Sequence, residues 1–343
     1  MISNKVIIIA EAGVNHNGDL SLARKLVEAA AEAGADYVKF QTFKAEKLVT
    51  KSAQKAAYQV KNINDSDNSQ FQMLKNLEMP YEWHFELRDY AHSLGIKFLS
   101  TGFDEESIDF LDQLGIDLYK IPSGEITNRP YLNHIANKNK DIIFSTGMAN
   151  MKEVSEAMDV FIQAGIVRDR ITILHCNTEY PTPMKDVNLK AMNKIQEVLG
   201  VNVGYSDHTL GIEVPIAAVA LGAKVIEKHF TLDKTMPGPD HIASLEPSEL
   251  KNMIKAIRNV ELAMTGSGIK EPSQSELNNI SIVRKSLHFR NDLQSGHVVN
   301  AHDLIALRPG FGISPMQIEM YIGKKINQNV IAFSMIDNTQ FEW

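Results

Sequence analysis

The chain of 343 residues is long enough for one large domain and a smaller one, because a β/α barrel alone takes about 250 residues. With 44% hydrophobic and 22% charged residues it can bury a full core, which excludes an intrinsically disordered protein. The formal charge of -7 and the absence of a Lys/Arg cluster argue against nucleic acid as a partner.

The first residues and the single cysteine indicate the compartment. One short apolar run ends at Glu11, and it is too short for a membrane span and lacks the layout of a signal peptide. We therefore expect a cytoplasmic protein with no membrane partner. Cys176 cannot form an internal disulfide, so we expect it to be a buried, reduced thiol.

Short β-branched runs alternate with amphipathic helical stretches, which is the pattern of a parallel sheet with crossover helices. The predicted strands are Val6–Ala10, Tyr37–Gln41, Lys97–Thr101, Leu118–Pro122, Ile142–Thr146, Ile171–His175, Val201–Tyr205 and Lys224–His229. The first helical pattern, Leu22–Ala33, ends at Gly34 in a C-cap role. Eight such units predict the α/β class and an eight-stranded β/α (TIM) barrel.

An insertion interrupts the second unit. Residues 44–77 are polar and show little periodicity, and the next helical pattern runs from Tyr81 to Leu94. Long connections in compact domains are commonly functional, so we predict that this insertion is an active-site lid.

The chain changes character after the last barrel helix, which we predict over Pro247–Met264. A glycine-containing turn and a charged stretch follow, and then short strand-like pieces separated by turns. The predicted divisions are a catalytic barrel over 1–268, a linker over 269–282 and a small β-rich domain over 283–343. A domain this small has little core of its own, so we expect it to lean on a barrel.

Polar residues follow every predicted strand. The carboxyl ends of barrel strands meet at one opening, where barrel enzymes carry their chemistry. The residues at these ends are Glu11, Asn15, His16, Lys39, Gln41, Ser100, Thr101, Lys120, Ser123, Glu125, Ser145, Thr146, His175, Thr178, Tyr180, Ser206, Asp207, His208, Lys228 and His229. A single Ser or His is more often a satisfied polar group, but the joint pattern predicts a shared site.

Two histidines suggest a metal. His208 and His229 end neighbouring strands, so both imidazoles can reach one point above the barrel. Two imidazoles without thiolates leave positions open for water and a substrate oxygen, which suits Mn²⁺ better than a closed structural zinc site. The residues alone leave open two unrelated histidines, because two ligands are not a diagnostic set.

Nine runs, spread in order along nearly the whole chain, resemble the bacterial sialic acid synthase family. They are IAEAGVNHNG at 9–18, VKFQT at 38–42, KIPSGE at 120–125, STGM at 145–148, HCNTEYPTP at 175–183, YSDHT at 205–209, IEKHFT at 226–231, GPDH at 238–241 and RPGFGISP at 308–315. The resemblance implies condensation of phosphoenolpyruvate with an N-acylated aminohexose to a nine-carbon sugar acid. It also implies an antifreeze-like (SAF) small domain, and a domain-swapped homodimer in which that domain covers the partner's active site.

The same resemblance implies the roles of individual residues. Phosphoenolpyruvate would be bound by Lys39, Thr101, Lys120, Ser123, Ser145, Thr178 and Ser206. The sugar would be bound by Gln41, Glu125, Tyr180, Asp240 and, across the dimer, Arg308. The catalytic residues would be Glu11, His208 and His229.

The two histidines would hold a divalent metal, Mn²⁺ with Mg²⁺ or Co²⁺ as alternatives. We predict that Glu11 handles a proton, because burial at an apolar strand end raises a carboxyl pKa toward the working pH. A purely structural hydrogen-bonding role is the alternative for Glu11.

Two positions depart from the family pattern. Gly102 stands where the family usually has proline, from which we expect a slightly looser phosphate loop. Some relatives carry asparagine at the position of Thr178.

Three classes of function stay open. The preferred one is an N-acetylneuraminate synthase acting on N-acetylmannosamine, and the alternative is an N,N'-diacetyllegionaminate synthase acting on 2,4-diacetamido-2,4,6-trideoxymannose. A synthase for a phosphorylated aldose would need additional arginines at the strand ends, where lysine and serine prevail. A non-catalytic sugar-binding or ice-binding protein would give the histidines and lysines at the strand ends no purpose.

Overall fold

The computed structural model describes residues 5–63 and 66–343. The chain divides into two compact units, Met1–Thr265 and Gly266–Trp343, so the division lies close to the predicted boundary at 268. Among the described residues, none of the helices combines the length and the apolar character needed to cross a membrane.

The first unit contains a ring of eight parallel strands. They are β1 (Ile7–Gly13), β2 (Tyr37–Thr42), β3 (Lys97–Gly102), β4 (Leu118–Ile121), β5 (Asp141–Ser145), β6 (Ile171–Cys176), β7 (Asn202–Asp207) and β8 (Val225–His229). The order in the sheet is β3-β2-β1-β8-β7-β6-β5-β4, and β3 and β4 come within 8 Å of each other. Every predicted strand overlaps an observed one, and the predicted α/β barrel is confirmed.

Helices surround the ring and also build the insertion. They are α1 (Leu20–Ala33), α2 (Ala45–Leu48), α3 (Ala57–Ile63), α4 (Gln70–Leu77), α5 (Tyr81–Ser93), α6 (Glu105–Leu114), α7 (Arg129–Ala136), α8 (Met151–Gln163), α9 (Lys190–Leu199), α10 (Glu213–Ala220) and α11 (Pro247–Ala263). The predicted aperiodic insertion thus contains three short helices, α2 to α4.

Local sequence explains where α1 begins and ends. The Asp19 carboxylate caps the helix by accepting hydrogen bonds from the backbone N–H groups of Ser21 and Leu22. Gly34 ends it in the left-handed conformation, with φ at 84°. The buried face between these caps packs against the strands, so a polar substitution at Leu26 would break the packing of this helix.

The interior of the ring is filled by an apolar layer. It consists of Ile9, Tyr37, Leu99, Leu118, Ile143, Leu174 and Val225, with Ile7 packed against it. Side chains on a strand alternate between its two faces, so the residue two positions after each layer member also points into the ring. This alternation positions the candidate site described below.

The second unit, Gly266–Trp343, has a core of its own that includes Leu287, Phe289 and Ile326. It contains α12 (Gln274–Val283) and an antiparallel pair of strands, β9 (Ser286–Phe289) and β10 (Leu304–Leu307). Most of the predicted linker is therefore the helix α12, whose start is fixed by reciprocal capping between Ser273 and Glu276. The antifreeze-like assignment of this unit stays a prediction.

Candidate active site

A cavity of about 600 Å³ opens at the carboxyl ends of the barrel strands. Its lining includes every predicted site residue except Arg308. These lining residues are Glu11, Lys39, Gln41, Thr101, Lys120, Ser123, Glu125, Ser145, Thr178, Tyr180, Ser206, His208, His229 and Asp240. The predicted convergence of the strand ends on one site is therefore seen in the structure.

The base of the cavity is polar because of the two-residue alternation along the strands. We call this base the polar floor, and it consists of Glu11, Lys39, Thr101, Lys120, Ser145, Ser206 and Glu227. Six of the seven stand two positions after a member of the apolar layer. Ser206 stands two positions after Gly204, where a Cβ would lie 2.2 Å from the Val225 carbonyl oxygen.

Ion pairs connect the polar floor. The Lys39 ammonium contacts Glu11, donates to the Thr101 hydroxyl at 3.0 Å and lies 3.5 Å from Glu227. Lys120 lies 3.4 Å from the same Glu227 carboxylate. Both lysines are only 3% exposed, which excludes the surface salt bridges that charged residues commonly make.

Burial and neighbouring charges shift the pKa values of these groups. Burial lowers the pKa of Lys39 to about 7, although Glu227 acts in the opposite direction. Burial raises the pKa of Glu227, but the attraction of Lys120 and Lys39 outweighs it and brings the pKa to about 2. Burial makes the charged form of Lys39 less stable, and an anionic ligand would stabilise that form. The floor therefore suits a phosphate or a carboxylate.

The two histidines stand beside the floor as neutral rings. Their ring centroids are 5.5 Å apart, and burial lowers the pKa of His208 to about 4 and that of His229 well below its usual range. His208 Nδ1 donates to the Asn177 carbonyl, which leaves its Nε2 lone pair available. His229 Nδ1 and Glu11 Oε1 are buried and have no hydrogen-bond partner among the described residues.

This donor set fits two ligands of a divalent metal. Metal-binding histidines are neutral, and one nitrogen commonly donates to a carbonyl, as His208 does. Within residues 5–63 and 66–343 there is no group of three or more His, Cys, Asp or Glu side chains placed as ligands. The remaining coordination positions would thus belong to water and substrate, and the metal itself stays a proposal.

The family of the chain follows from comparison with known proteins, since the NeuB family profile matches residues 26–270. The chain belongs to the NeuB family. It is 55% identical over 325 residues to the N,N'-diacetyllegionaminic acid synthase of Campylobacter jejuni, covering 95% of this chain and 97% of that protein. It is 53% identical over 327 residues to the protein of the same name from Legionella pneumophila, covering 95% and 91%.

A solved structure of the family agrees with the fold. The N-acetylneuraminic acid synthetase of Leptospira borgpetersenii, in complex with citrate, has a TM-score of 0.70 and 32% identity, covering 81% of this chain and 91% of that one. The predicted enzyme class is confirmed at this level, and the NeuB chain is a phosphoenolpyruvate-dependent nonulosonate synthase.

The insertion of this NeuB protein covers one side of the cavity. On α3, the Tyr58 ring stacks on Tyr180 with centroids 5.0 Å apart, and Tyr180 stacks on His208 at 4.0 Å. The Asn62 amide donates to the Pro239 carbonyl at 2.7 Å, which ties α3 to the segment after β8. The insertion therefore belongs to the site, in agreement with its predicted position over the active site.

An apolar surface faces the polar floor. We call it the apolar wall, and its residues are Leu48, Val49, Met73, Leu74 and Leu77, all from the insertion. It is backed by a small hydrophobic cluster that includes Val14 and Phe43. Sequence reasoning missed this surface, although Met73 and Leu77 are four residues apart and fall on one face of α4.

Seven of the strand-end residues that were expected to share the site do not line the cavity, and they are Asn15, His16, Ser100, Thr146, His175, Asp207 and Lys228. Lys228 was expected at the cavity, but its ammonium pairs at 2.5 Å with Asp207 inside the barrel wall, where both side chains are fully buried. The inward residues of β8 are Glu227 and His229, because the side chains alternate. Glu227 was missed even though it lies in one of the family-like runs.

The surroundings of Gly102 and Cys176 show how these two small residues pack near the strand ends. Gly102 ends β3, its carbonyl accepts from the Tyr131 hydroxyl at 2.5 Å, and a Cβ there would lie 2.8 Å from Ile108 Cδ1. A side chain at this position would therefore displace Ile108, and the slightly looser phosphate loop stays a prediction. Cys176 is buried and free, as predicted, and its Sγ lies 3.2 Å from the Ser123 hydroxyl.

Arg308 lies in the second unit, where its Nε donates to the Val283 carbonyl at 2.9 Å. Its contact with a sugar, the domain-swapped homodimer and the cytoplasmic location stay predictions.

Proposed function

We propose that this NeuB protein is an N,N'-diacetyllegionaminate synthase. It condenses phosphoenolpyruvate with 2,4-diacetamido-2,4,6-trideoxymannose and water, and releases phosphate. Sequence analysis preferred N-acetylmannosamine as the sugar, but the relatives at 55% and 53% identity carry the name of the alternative.

The observation that carries this choice is the apolar wall beside the polar floor. The two sugars differ at carbon 4, which bears an acetamido group or a hydroxyl, and at carbon 6, which is a methyl or a hydroxymethyl group. A hydroxyl buried against Leu74 without a partner would cost about 1–3 kcal/mol, whereas a methyl group gains about 0.8 kcal/mol from burial. The wall therefore favours the sugar with a methyl group at carbon 6, which is the 6-deoxy sugar, and the second acetamido group would have to reach the polar residues of the cavity.

The polar floor binds phosphoenolpyruvate in this proposal. The ammonium groups of Lys39 and Lys120 supply charge-assisted hydrogen bonds to its phosphate and carboxylate. Their burial strengthens these bonds, because few water molecules compete at 3% exposure. Hydroxyls of Thr101, Ser123, Ser145, Thr178 and Ser206 add neutral donors around the same ligand.

Carbon–carbon bond formation takes place above this floor. Carbon 3 of phosphoenolpyruvate forms a bond to the aldehyde carbon of the open-chain sugar, and the aldehyde oxygen takes up a proton. Water adds to carbon 2 and loses a proton, and the bond between carbon 2 and the phosphate oxygen then breaks, so that inorganic phosphate leaves and carbon 2 becomes a ketone. His208 and His229 would hold a divalent metal, Mn²⁺ with Mg²⁺ or Co²⁺ as alternatives, which polarises the aldehyde oxygen when bound. Glu11 is placed to move a proton, because its Oε1 atom is buried in the cavity lining and unpaired among the described residues.

The sugar is bound by polar groups on the remaining sides of the cavity. Glu125, Gln41 and Asp240 face it with acceptors for hydroxyl and amide groups, and Tyr180 forms a flat aromatic surface beside His208. Arg308 of the second unit would complete the sugar site across a domain-swapped homodimer. Arg308→Ala should then weaken sugar use far more than phosphoenolpyruvate binding, and equal losses in both would remove that assignment.

The test is release of phosphate from phosphoenolpyruvate with Mn²⁺ and three sugars in parallel, with mass spectrometry of the products. The sugars are N-acetylmannosamine, its 6-phosphate and 2,4-diacetamido-2,4,6-trideoxymannose. Preference for the diacetamido sugar supports the proposal, and preference for N-acetylmannosamine restores the N-acetylneuraminate synthase. Turnover of the 6-phosphate alone would favour the phosphosugar class, and no turnover would favour a non-catalytic sugar-binding protein.

A further inference from the structure

Glu227 occupies a central place in the polar floor. It stands on β8, and its carboxylate reaches lysines on two other strands, Lys39 on β2 and Lys120 on β4. In the order of the sheet, β2 lies two strands from β8 on one side and β4 lies four strands away on the other. The Glu227 carboxylate thus meets both lysines inside the ring of strands.

The two oxygens of Glu227 have different partners. Oε1 accepts from the Ser206 hydroxyl at 2.9 Å and lies 3.4 Å from Lys120. Oε2 lies 3.5 Å from Lys39 and has no hydrogen-bond partner among the described residues. Contacts of 3.4–3.5 Å attract both ammonium groups without taking up all of their N–H donors. Glu227 thus fixes the positions of Lys39 and Lys120, and each ammonium group keeps N–H donors for a ligand.

The two lysines depend on Glu227 unequally. Lys39 has a second carboxylate, Glu11, in close contact. Within residues 5–63 and 66–343, Glu227 is the carboxylate that lies within 4.0 Å of Lys120, whose other contact is the Ile121 carbonyl at 3.2 Å. Loss of the Glu227 charge would therefore leave Lys120 without a carboxylate neighbour among the described residues, whereas Lys39 would keep Glu11 and the Thr101 hydroxyl.

We propose that Glu227 is a positioning residue that sets the places of Lys39 and Lys120 for phosphoenolpyruvate. The inference rests on the phosphoenolpyruvate step of the proposed function and is independent of which sugar is used. Glu227 acts through the lysines, so its removal should weaken binding of phosphoenolpyruvate, even though a negative charge next to an anionic ligand is also removed.

The experiment is isothermal titration calorimetry of the full-length protein with phosphoenolpyruvate, without sugar, for wild type and Glu227→Gln. Glutamine keeps the length of the side chain and a partner for Ser206, but lacks the charge. We expect the Kd to rise about tenfold or more, which corresponds to about 1.4 kcal/mol per factor of ten. In steady-state assays the KM for phosphoenolpyruvate should rise, while the KM for the sugar stays unchanged.

Two further variants separate positioning from structure. Glu227→Asp restores the charge on a shorter side chain and should recover part of the affinity. Glu261→Gln is the matched control, because Glu261 pairs with Arg258 and the backbone of Val6 at the amino end of β1 and should leave the Kd unchanged.

Each outcome decides the inference. An unchanged Kd with a lower melting temperature would mean that Glu227 only supports the fold. Tighter binding by Glu227→Gln would mean that its charge merely repels the ligand. Either result overturns this inference alone, whereas absence of phosphoenolpyruvate binding by the wild type overturns the proposed function as well.

Discussion

The strands of the barrel supply the polar floor of the cavity, whereas the insertion at 44–77 supplies its apolar wall. Each floor residue stands on a strand at a position fixed by the pleat, two residues beyond a packed interior position. The wall stands on short helices that are backed by a small separate cluster. The barrel strands thus supply the chemistry that is common to the family, while the insertion at 44–77 can alter the preference between sugars.

Substitutions in the floor and in the wall should therefore have different effects on activity. Changes in the floor should impair the reaction with every sugar equally, because phosphoenolpyruvate is common to all. Changes in the wall should alter the preference between sugars and leave phosphoenolpyruvate binding intact.

Lys120→Ala should have the largest effect. It removes a buried charged donor to phosphoenolpyruvate, and we expect kcat/KM to fall about 10²- to 10³-fold with each sugar tested. Phosphate release measures it, and Lys185→Ala, at an exposed lysine, is the control. A loss confined to one sugar would contradict the assignment of Lys120 to the common floor.

His208→Ala should lower the bound metal and the activity together. Removing one of two imidazole ligands should weaken metal affinity by about 10²-fold, and the activity should follow with all sugars. Metal content by mass spectrometry is read beside phosphate release. His175→Gln is the matched control, since His175 lies on β6, does not line the cavity and contacts the Val187 carbonyl through its Nε2 at 2.9 Å. A fully active variant without metal would remove the metal site.

Asp240→Asn should raise the stability of the folded protein at high pH and lower the activity with the sugar. Burial raises the pKa of Asp240 to about 6, above the value of about 3.9 in an unfolded chain, so the folded protein binds the proton more tightly. The free energy of unfolding therefore falls as pH rises from about 4 to about 6, and the loss, about 2–3 kcal/mol, persists at higher pH.

The asparagine variant has no buried carboxylate to ionise, so its free energy of unfolding should be higher than that of wild type at about pH 8. At about pH 3 the two proteins should be equally stable, because the Asp240 carboxyl is then protonated in both the folded and the unfolded state. Its kcat/KM for the sugar should fall, because the charged acceptor is lost. Urea unfolding at both pH values measures the difference, with Asp159→Asn on an exposed face of α8 as control. An equal stability difference at both pH values would refute the raised pKa.

Asn62→Ala should have the smallest effect. It removes the hydrogen bond from α3 to the Pro239 carbonyl, worth about 0.5–1.5 kcal/mol. We expect the KM for the sugar to rise while the Kd for phosphoenolpyruvate is unchanged, and Asn76→Ala, at an exposed position of α4, is the control. A change in phosphoenolpyruvate affinity would show that α3 also acts on the floor.

The barrel could be predicted from the sequence because its strands are buried on both faces and read as short apolar runs. The same runs located the strand ends and most of the floor. The error at Lys228 and the omission of Glu227 share one cause, since consecutive polar residues on β8 were assigned without regard to alternation. Counting two residues onward from Val225 would have selected Glu227.

The apolar wall could not be predicted in this way. The helices that carry the wall are short, since α2 has four residues and α4 has eight, and a periodic pattern is hard to recognise over so few residues. Tyr58 and Leu74 join the cavity through tertiary packing with segments far away in the chain. The helix α12 was missed for another reason, because its exposed, polar sequence resembled a linker although Ser273 and Glu276 form a capping pair.

The most direct test of the division between floor and wall is the ratio of kcat/KM for the diacetamido sugar to that for N-acetylmannosamine, compared between wild type and Leu74→Gln. Leu74 is half-buried in the wall, and glutamine has a similar size but is polar. We predict that the ratio falls about tenfold, with phosphoenolpyruvate binding unchanged. An unchanged ratio, or an equal loss with both sugars, would contradict the account.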